Sequence, residues 1–191
     1  MQERARLLSL LFLLLTIVPT AFAQKHEFAI TAGGYIPSGL QTDVQTAPII
    51  QGTYAHRIFG VPLASVYVEV PVARTFDVGL GALQGDYTAT FVVPGVKLKL
   101  APEFPASPYF MAGVGIAHIS TNGVASGAEV DTSNTSIAVD FGGGVDFNVF
   151  PFVSLRGEIR NVNSGGLGFA IPFVSGRQNN IIATGGLVLR F

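Results

Sequence analysis

The sequence predicts an all-β protein, a transmembrane antiparallel up-and-down β-barrel of eight strands. Three observations predict it. Most of residues 24–191 divides into segments of period two separated by clusters of Gly, Pro, Asn, Asp and Ser, which is the sequence form of such a barrel. Charged residues are only 12% of the chain while Gly reaches 23 residues, about half the charge of a soluble domain. The polar face of each segment is made mostly of Gly, Ala, Ser, Thr and Asn rather than long charged side chains.

Residues 1–23 differ from everything after them. Arg4 and Arg6 give a positive start, Leu7 to Val18 are continuously apolar, and Ala21-Phe22-Ala23 has the small-x-small pattern that signal peptidase cuts behind. The apolar run is shorter than the roughly 20 residues a membrane-crossing helix needs. Residues 1–23 are therefore expected to be a cleaved signal peptide, and residues 24–191 a single outer-membrane barrel domain.

Several function classes drop out. Without Glu3, Arg4 and Arg6 the chain keeps nine Lys and Arg against eleven Asp and Glu, so no electrostatic case exists for a nucleic-acid partner. There is no Cys, which removes disulfides, thiolate metal sites and a lipidated Cys. No run of eighteen apolar residues occurs after residue 23, which excludes a helical membrane protein. The glycine runs at 33–34, 142–144 and 185–186 join no strand to a helix, so they are not phosphate loops. No cofactor is expected.

The strands are expected near 26–36, 48–59, 64–75, 88–100, 108–120, 136–149, 152–163 and 180–191. The clearest is the sixth. Ile137, Val139, Phe141, Val145, Phe147 and Val149 share one face, and Ala138, Asp140, Gly142, Gly144, Asp146 and Asn148 the other. Short connections fall at Gly60 to Leu63, Ala101 to Ser107 and Phe150-Pro151, and long ones at 37–47, 76–87, 121–135 and 164–179. Short periplasmic turns alternating with long external loops place both termini in the periplasm. Pro71 and Pro94 interrupt strands three and four, where a missing N–H breaks the ladder. In a hairpin centred near residues 82 and 83 they lie at one height, so a shared bulge or distortion is expected there.

Alternation alone does not say which face meets which medium, since a soluble barrel alternates too. The small residues of the polar face decide it. They suit the narrow lumen of eight strands, which side chains just fill, and put the apolar face in lipid.

At Phe141-Gly-Gly-Gly-Val-Asp-Phe147, Phe152-Val-Ser-Leu-Arg-Gly-Glu158 and the closing Gly-Gly-Leu187-Val-Leu-Arg-Phe191, the chain resembles the bacterial outer-membrane barrels of the opacity-protein and OmpA-barrel type. The resemblance covers roughly residues 90–191 well and the first two strands loosely. It implies an outer-membrane location, with outer-membrane lipid and lipopolysaccharide as surroundings. It also implies that Phe191, at the end of an apolar-alternating strand, is the signal read by the outer-membrane insertion machinery. The peptidoglycan-binding domain that follows the barrel in OmpA is expected to be missing. The type specifies no activity, because one barrel serves many roles.

The candidate site is a set of inward charges: Glu27, Glu69, Asp140, Asp146 and Glu158 against Lys97, Lys99, Arg156, Arg160 and Arg190. They line either a selective passage or, as expected in so narrow a barrel, a packed interior in which they pair. With facing residues of the hairpin at Phe150-Pro151 summing to about 300 to 302, Asp140 comes beside Arg160 and Asp146 beside Arg156.

His118-Ile-Ser120 puts two side chains on one face of strand five, with Asn122, Gly123 and Glu129 following. This faintly resembles the His-x-Ser pair of outer-membrane lipid A deacylases, but Thr121 interrupts the pattern before Asn122. His26 and His56 have no companions at metal-ligand spacing and are expected near the periplasmic rim. Loop 164–179 carries Phe169, Ile171, Phe173 and Val174, a partner patch or a cover over the barrel mouth. The expected function is that of a non-enzymatic outer-membrane barrel, envelope-structural or acting through external loops toward an unknown partner. A narrow channel or small-ligand barrel and a lipid A-modifying hydrolase are the alternatives.

Overall fold

The structure, a computed structural model, describes residues 24–38, 46–76, 78–79, 85–125, 128–165 and 178–191. Ten β-segments form, most of them alternating apolar with small or polar side chains: β1 (His26–Ser38), β2 (Ala47–Val61), β3 (Ala64–Thr75), β4 (Val78–Gly79), β5 (Gly85–Val92), β6 (Gly95–Leu100), β7 (Ala106–Ala125), β8 (Ala128–Phe150), β9 (Val153–Ser164) and β10 (Gln178–Arg190). β4 prolongs the stave of β3, and β5 and β6 form one stave broken at Val93-Pro94. Eight antiparallel staves result. β1 pairs with β2 on one side and β10 on the other, and β2–β3 and β7–β5 pairings complete the ring, so no stave is left as an edge. His26 and Phe191 exchange backbone bonds of 2.9 and 3.0 Å, bringing the first and last strands together at what is called here the terminal rim.

The break at Val93-Pro94 lies opposite Val70-Pro71. The register is the same on both sides of it, since β3 pairs Val72 with Val92 and Glu69 with Gly95, while β7 pairs Ile116 with Val92 and Gly113 with Gly95. No residue is inserted, so the two prolines share a distortion but not a bulge. Each keeps one side of its pair: Val93 N–H reaches Pro71 O at 3.4 Å and Val114 N–H reaches Pro94 O at 3.0 Å. Only the reciprocal bonds, which would need a proline N–H, are lost. Two register shifts lie near the terminal rim, between Arg57 and Phe59 and between Asn148 and Phe150, and a third lies between β3 and β4, since β5 pairs Thr90 with Arg74 but Tyr87 with Val78.

The segment 121–135, expected as a loop, is instead mostly strand. β7 and β8 continue as a hairpin with Gly123 opposite Val130 and Ala125 opposite Ala128, because the β-branched Thr121, Val124, Val130 and Thr132 favour extended backbone. Residues 166–177, which hold most of the apolar loop 164–179, lie outside the described residues, as do residues 1–23.

The two faces separate by chemistry. Phe28, Ile30, Val70, Leu98, Phe110, Val114, Phe141, Leu155, Ile159 and Leu187 point outward, Phe110 and Ile159 with 61% of their surface exposed. A water-soluble surface does not carry apolar area continuous on this scale; facing lipid it costs nothing. Phe59, Phe104, Phe150, Phe152 and Phe191 are exposed along the terminal rim, where a barrel of this kind carries an aromatic girdle. Inside, toward the far rim, Tyr35, Ile49, Phe91, Val93, Val162 and Ile182 pack into an apolar layer.

Candidate functional site

Below the apolar layer the lumen is charged. Glu27 comes from β1, Glu69 from β3, Lys97 and Lys99 from β6, Asp140 and Asp146 from β8, and Arg156, Glu158 and Arg160 from β9; all are buried. Each sits at the inward parity of its strand, so alternation delivers nine ionic side chains to one space.

They form a single ladder. Arg160 contacts Asp140 at 2.6 Å, Glu158 at 2.6 Å and Glu69 at 2.8 Å. Glu69 lies 3.5 Å from Lys97, which contacts Glu27 at 2.7 Å. Glu27 also bonds Lys99, and Lys99 contacts Asp146 at 2.6 Å. Arg156 closes the lower end, gripping Asp146 with two bonds of 2.8 and 2.9 Å and lying 3.4 Å from Glu27. The β8–β9 register sets Asp146 directly opposite Arg156 and Asp140 one step diagonal from Arg160, across Gly142.

Neutral groups complete the packing. Tyr109 donates to Glu158 at 2.7 Å and Gln51 donates to the same carboxylate at 2.8 Å. The Lys97 ammonium stands 4.9 Å from the Tyr67 ring centroid, and the Arg156 guanidinium 4.8 Å from that of Tyr109, within cation–π range. Tyr67, Tyr109 and Gln51 were not singled out from sequence. Parity identifies them, since Tyr67 shares a face with Glu69 and Tyr109 alternates with outward Phe110.

The ladder is bounded at both ends. Between Arg160 and the apolar layer the gap is about 10 Å³, lined by Gln51, Phe91, Val93, Asp140 and Val162, roughly the space one water requires. At the terminal rim a vestibule of about 450 Å³ is lined by Lys25, Arg57, Tyr67, Glu103 and Arg190 among others. Arg190, expected among the ion pairs, is not in the ladder. It bonds Asn148 and Ser154 and makes no ion pair among the described residues, because its place near the end of β10 puts it at the mouth rather than between carboxylates.

On the outer wall, His118 and Ser120 are partners: Ser120 Oγ lies 3.3 Å from His118 Nε2, and His118 Nδ1 lies 2.8 Å from Thr135 Oγ1 on β8. The side chains of Asn122 and Glu129 lie outside the described residues. His26 and His56, read from sequence as lacking companions, are each other's. β1 and β2 place them directly opposite, with Nδ1 atoms 3.4 Å apart, a meeting that residue spacing along one strand does not reveal.

No protein-family model and no curated protein sequence matches the chain. By structure it is similar to Neisserial surface protein A, with a TM-score of 0.60 at 15% identity over 87% of this chain and 97% of that one. It is also similar to Ail, the attachment invasion locus protein of Yersinia pestis, with a TM-score of 0.54 at 15% identity over 88% and 97%. The outer membrane enzyme PagL follows, with a TM-score of 0.51 at 12% identity over 86% and 99%. The fold is thus that of the small bacterial outer-membrane barrels of the OmpA and opacity type.

Proposed function

We propose that the protein is a non-enzymatic barrel of the bacterial outer membrane, plugged by its own charge ladder, with both chain ends in the periplasm. Its body supports the envelope or displays external loops to a partner. One observation carries this reading: nine buried ionic side chains from five strands meet across the lumen, beneath an apolar layer separated from them by about 10 Å³. Separating those pairs to admit a water column exposes unpaired buried ions, each worth several kcal/mol, so the closed arrangement is the favoured one. The outward apolar wall faces lipid and lipopolysaccharide, and Phe191 serves as the signal for the insertion machinery. The test is conductance of the purified barrel in planar lipid bilayers. Absence of steady current is expected; stable open channels sink the reading in favour of a pore.

A second reading is favoured by the Ser120–His118–Thr135 chain. Ser120 Oγ is a nucleophile beside an imidazole base whose far nitrogen is held by a hydroxyl, the order of groups a Ser hydrolase uses, on a wall where acyl esters of outer-membrane lipid would lie. One similar fold is itself an outer membrane enzyme. Against it, Thr135 offers no negative charge to stabilise an imidazolium. Incubating the folded protein with lipopolysaccharide and weighing the lipid A separates the two readings. Unchanged mass supports the scaffold, and acyl loss abolished by Ser120→Ala establishes the hydrolase.

A further inference from the structure

We propose that His26 and His56, with Tyr54, form a binding site for one divalent transition-metal ion of borderline softness, such as Zn²⁺, on the outer wall at the terminal rim. The two imidazoles come from neighbouring strands at facing positions, with ring centroids 4.7 Å apart and planes tilted by 46°. Tyr54 Oη stands 2.7 Å from His26 Nδ1. His26 is held from its other side by the Phe191 ring, stacked at 5.6 Å and 15°.

Three donor atoms therefore converge. An imidazole Nδ1 offers one in-plane site, either a lone pair or an N–H. His26 Nδ1 uses that site toward Tyr54, which leaves His56 Nδ1 facing it at 3.4 Å, long for an N–H···N bond. That separation is the one a metal imposes: two nitrogens each about 2.0–2.1 Å from a tetrahedral ion stand about 3.4 Å apart. Imidazole nitrogens favour Zn²⁺, Cu²⁺ and Ni²⁺ over Mg²⁺ or Ca²⁺. A small rotation of Tyr54 brings its oxygen to the third position, and water takes the fourth. Among the described residues no three His, Cys, Asp or Glu side chains gather as a metal cage, so the site rests on two imidazoles and a phenol. Tyr54 is 43% exposed, which leaves an approach from solvent.

The site exists only in the folded barrel. It ties β1 to β2 beside the place where Phe191 joins His26, so an ion bound there fastens the closure of the ring, with stability rising as ligand occupies the native state alone.

The experiment titrates untagged, folded protein in detergent micelles with Zn²⁺ against a chromogenic chelator, folding being checked by gel mobility before and after heating. The expected result is one equivalent bound and a higher temperature for loss of the folded form. Affinity should fall at least tenfold in His56→Gln and in His26→Asn, severalfold in Tyr54→Phe, and not at all in His118→Gln. If His56→Gln fails to fold, His26→Asn and Tyr54→Phe still decide the matter. No saturable binding by the folded parent protein, or one equivalent retained at unchanged affinity in a folded His variant, overturns the proposal and leaves an aromatic cluster that packs the rim.

Discussion

Tyr109 reaches Glu158 over Gly144: the three residues stand side by side on β7, β8 and β9, and the phenol donates to the carboxylate at 2.7 Å. A Cβ at Gly144 would lie 2.4 Å from the Gly157 carbonyl oxygen, 2.6 Å from the Tyr109 oxygen and 2.7 Å from its ring carbon, closer than packed atoms approach. Gly144→Ala should therefore push Tyr109 off Glu158 and cost about 1–3 kcal/mol, the usual penalty of overpacking. Urea unfolding of the barrel in micelles reads the loss. Adding Tyr109→Phe should recover little, since the ring and the Gly157 carbonyl both stay in the way.

Arg160 and Asp140 should contribute unequally. Arg160 serves three carboxylates, whereas among the described residues Asp140 leans on Arg160 alone and its buried Oδ1 has no hydrogen-bond partner. Arg160→Ala should cost about 3–5 kcal/mol, the range for stranding a buried charge, and Asp140→Ala distinctly less. The double variant should lose less than the two single losses added together. Strict additivity in equilibrium unfolding would show that the two do not act as a pair.

Pro94 withholds one N–H from Val114 while its carbonyl still accepts from that residue at 3.0 Å. Because the register is unbroken there, Pro94→Ala should restore the missing bond without moving the stave. A gain of about 0.5–1.5 kcal/mol is expected from the bond, partly offset by the freer unfolded chain. Slower exchange of the backbone amides around Val93 and Val114 would report it, and faster exchange there would count against the unbroken register.

Orientation is testable by labelling. Single Cys residues near Gly39, Ala82, Ser126 or Gly168, which lie outside the described residues, should react with an impermeant thiol reagent on intact cells. Cys at Val61, exposed at the terminal rim, should not. The opposite pattern would turn the barrel over.

Much of this was legible in the primary structure because the signal is local. A period of two assigns every side chain of a strand to one face once any residue is assigned, so the inward placement of Asp140, Asp146, Arg156, Glu158 and Arg160 and the eight-stave count follow from neighbours in sequence. The short turn at Phe150-Pro151 restricts the β8–β9 register enough to put Asp146 and Arg156 together. The loop expected at 121–135 gives way to strand because the β-branched Thr121, Val124, Val130 and Thr132 favour extended backbone, and β7 and β8 run on as a hairpin.

The sequence by itself thus determined the class of fold, the separation of an apolar wall from a charged interior, and the pairs joined by a short turn. Only the tertiary structure decided which distant strands meet, and at what height. Glu27 on β1 finds Lys97 and Lys99 on β6 across the lumen, Glu69 finds Arg160, Arg190 is left at the mouth, and His26 comes opposite His56. The physical reason is that these contacts depend on the stagger accumulated around a closed ring and on long connections such as 37–47, neither of which leaves a periodic trace in the strands they join.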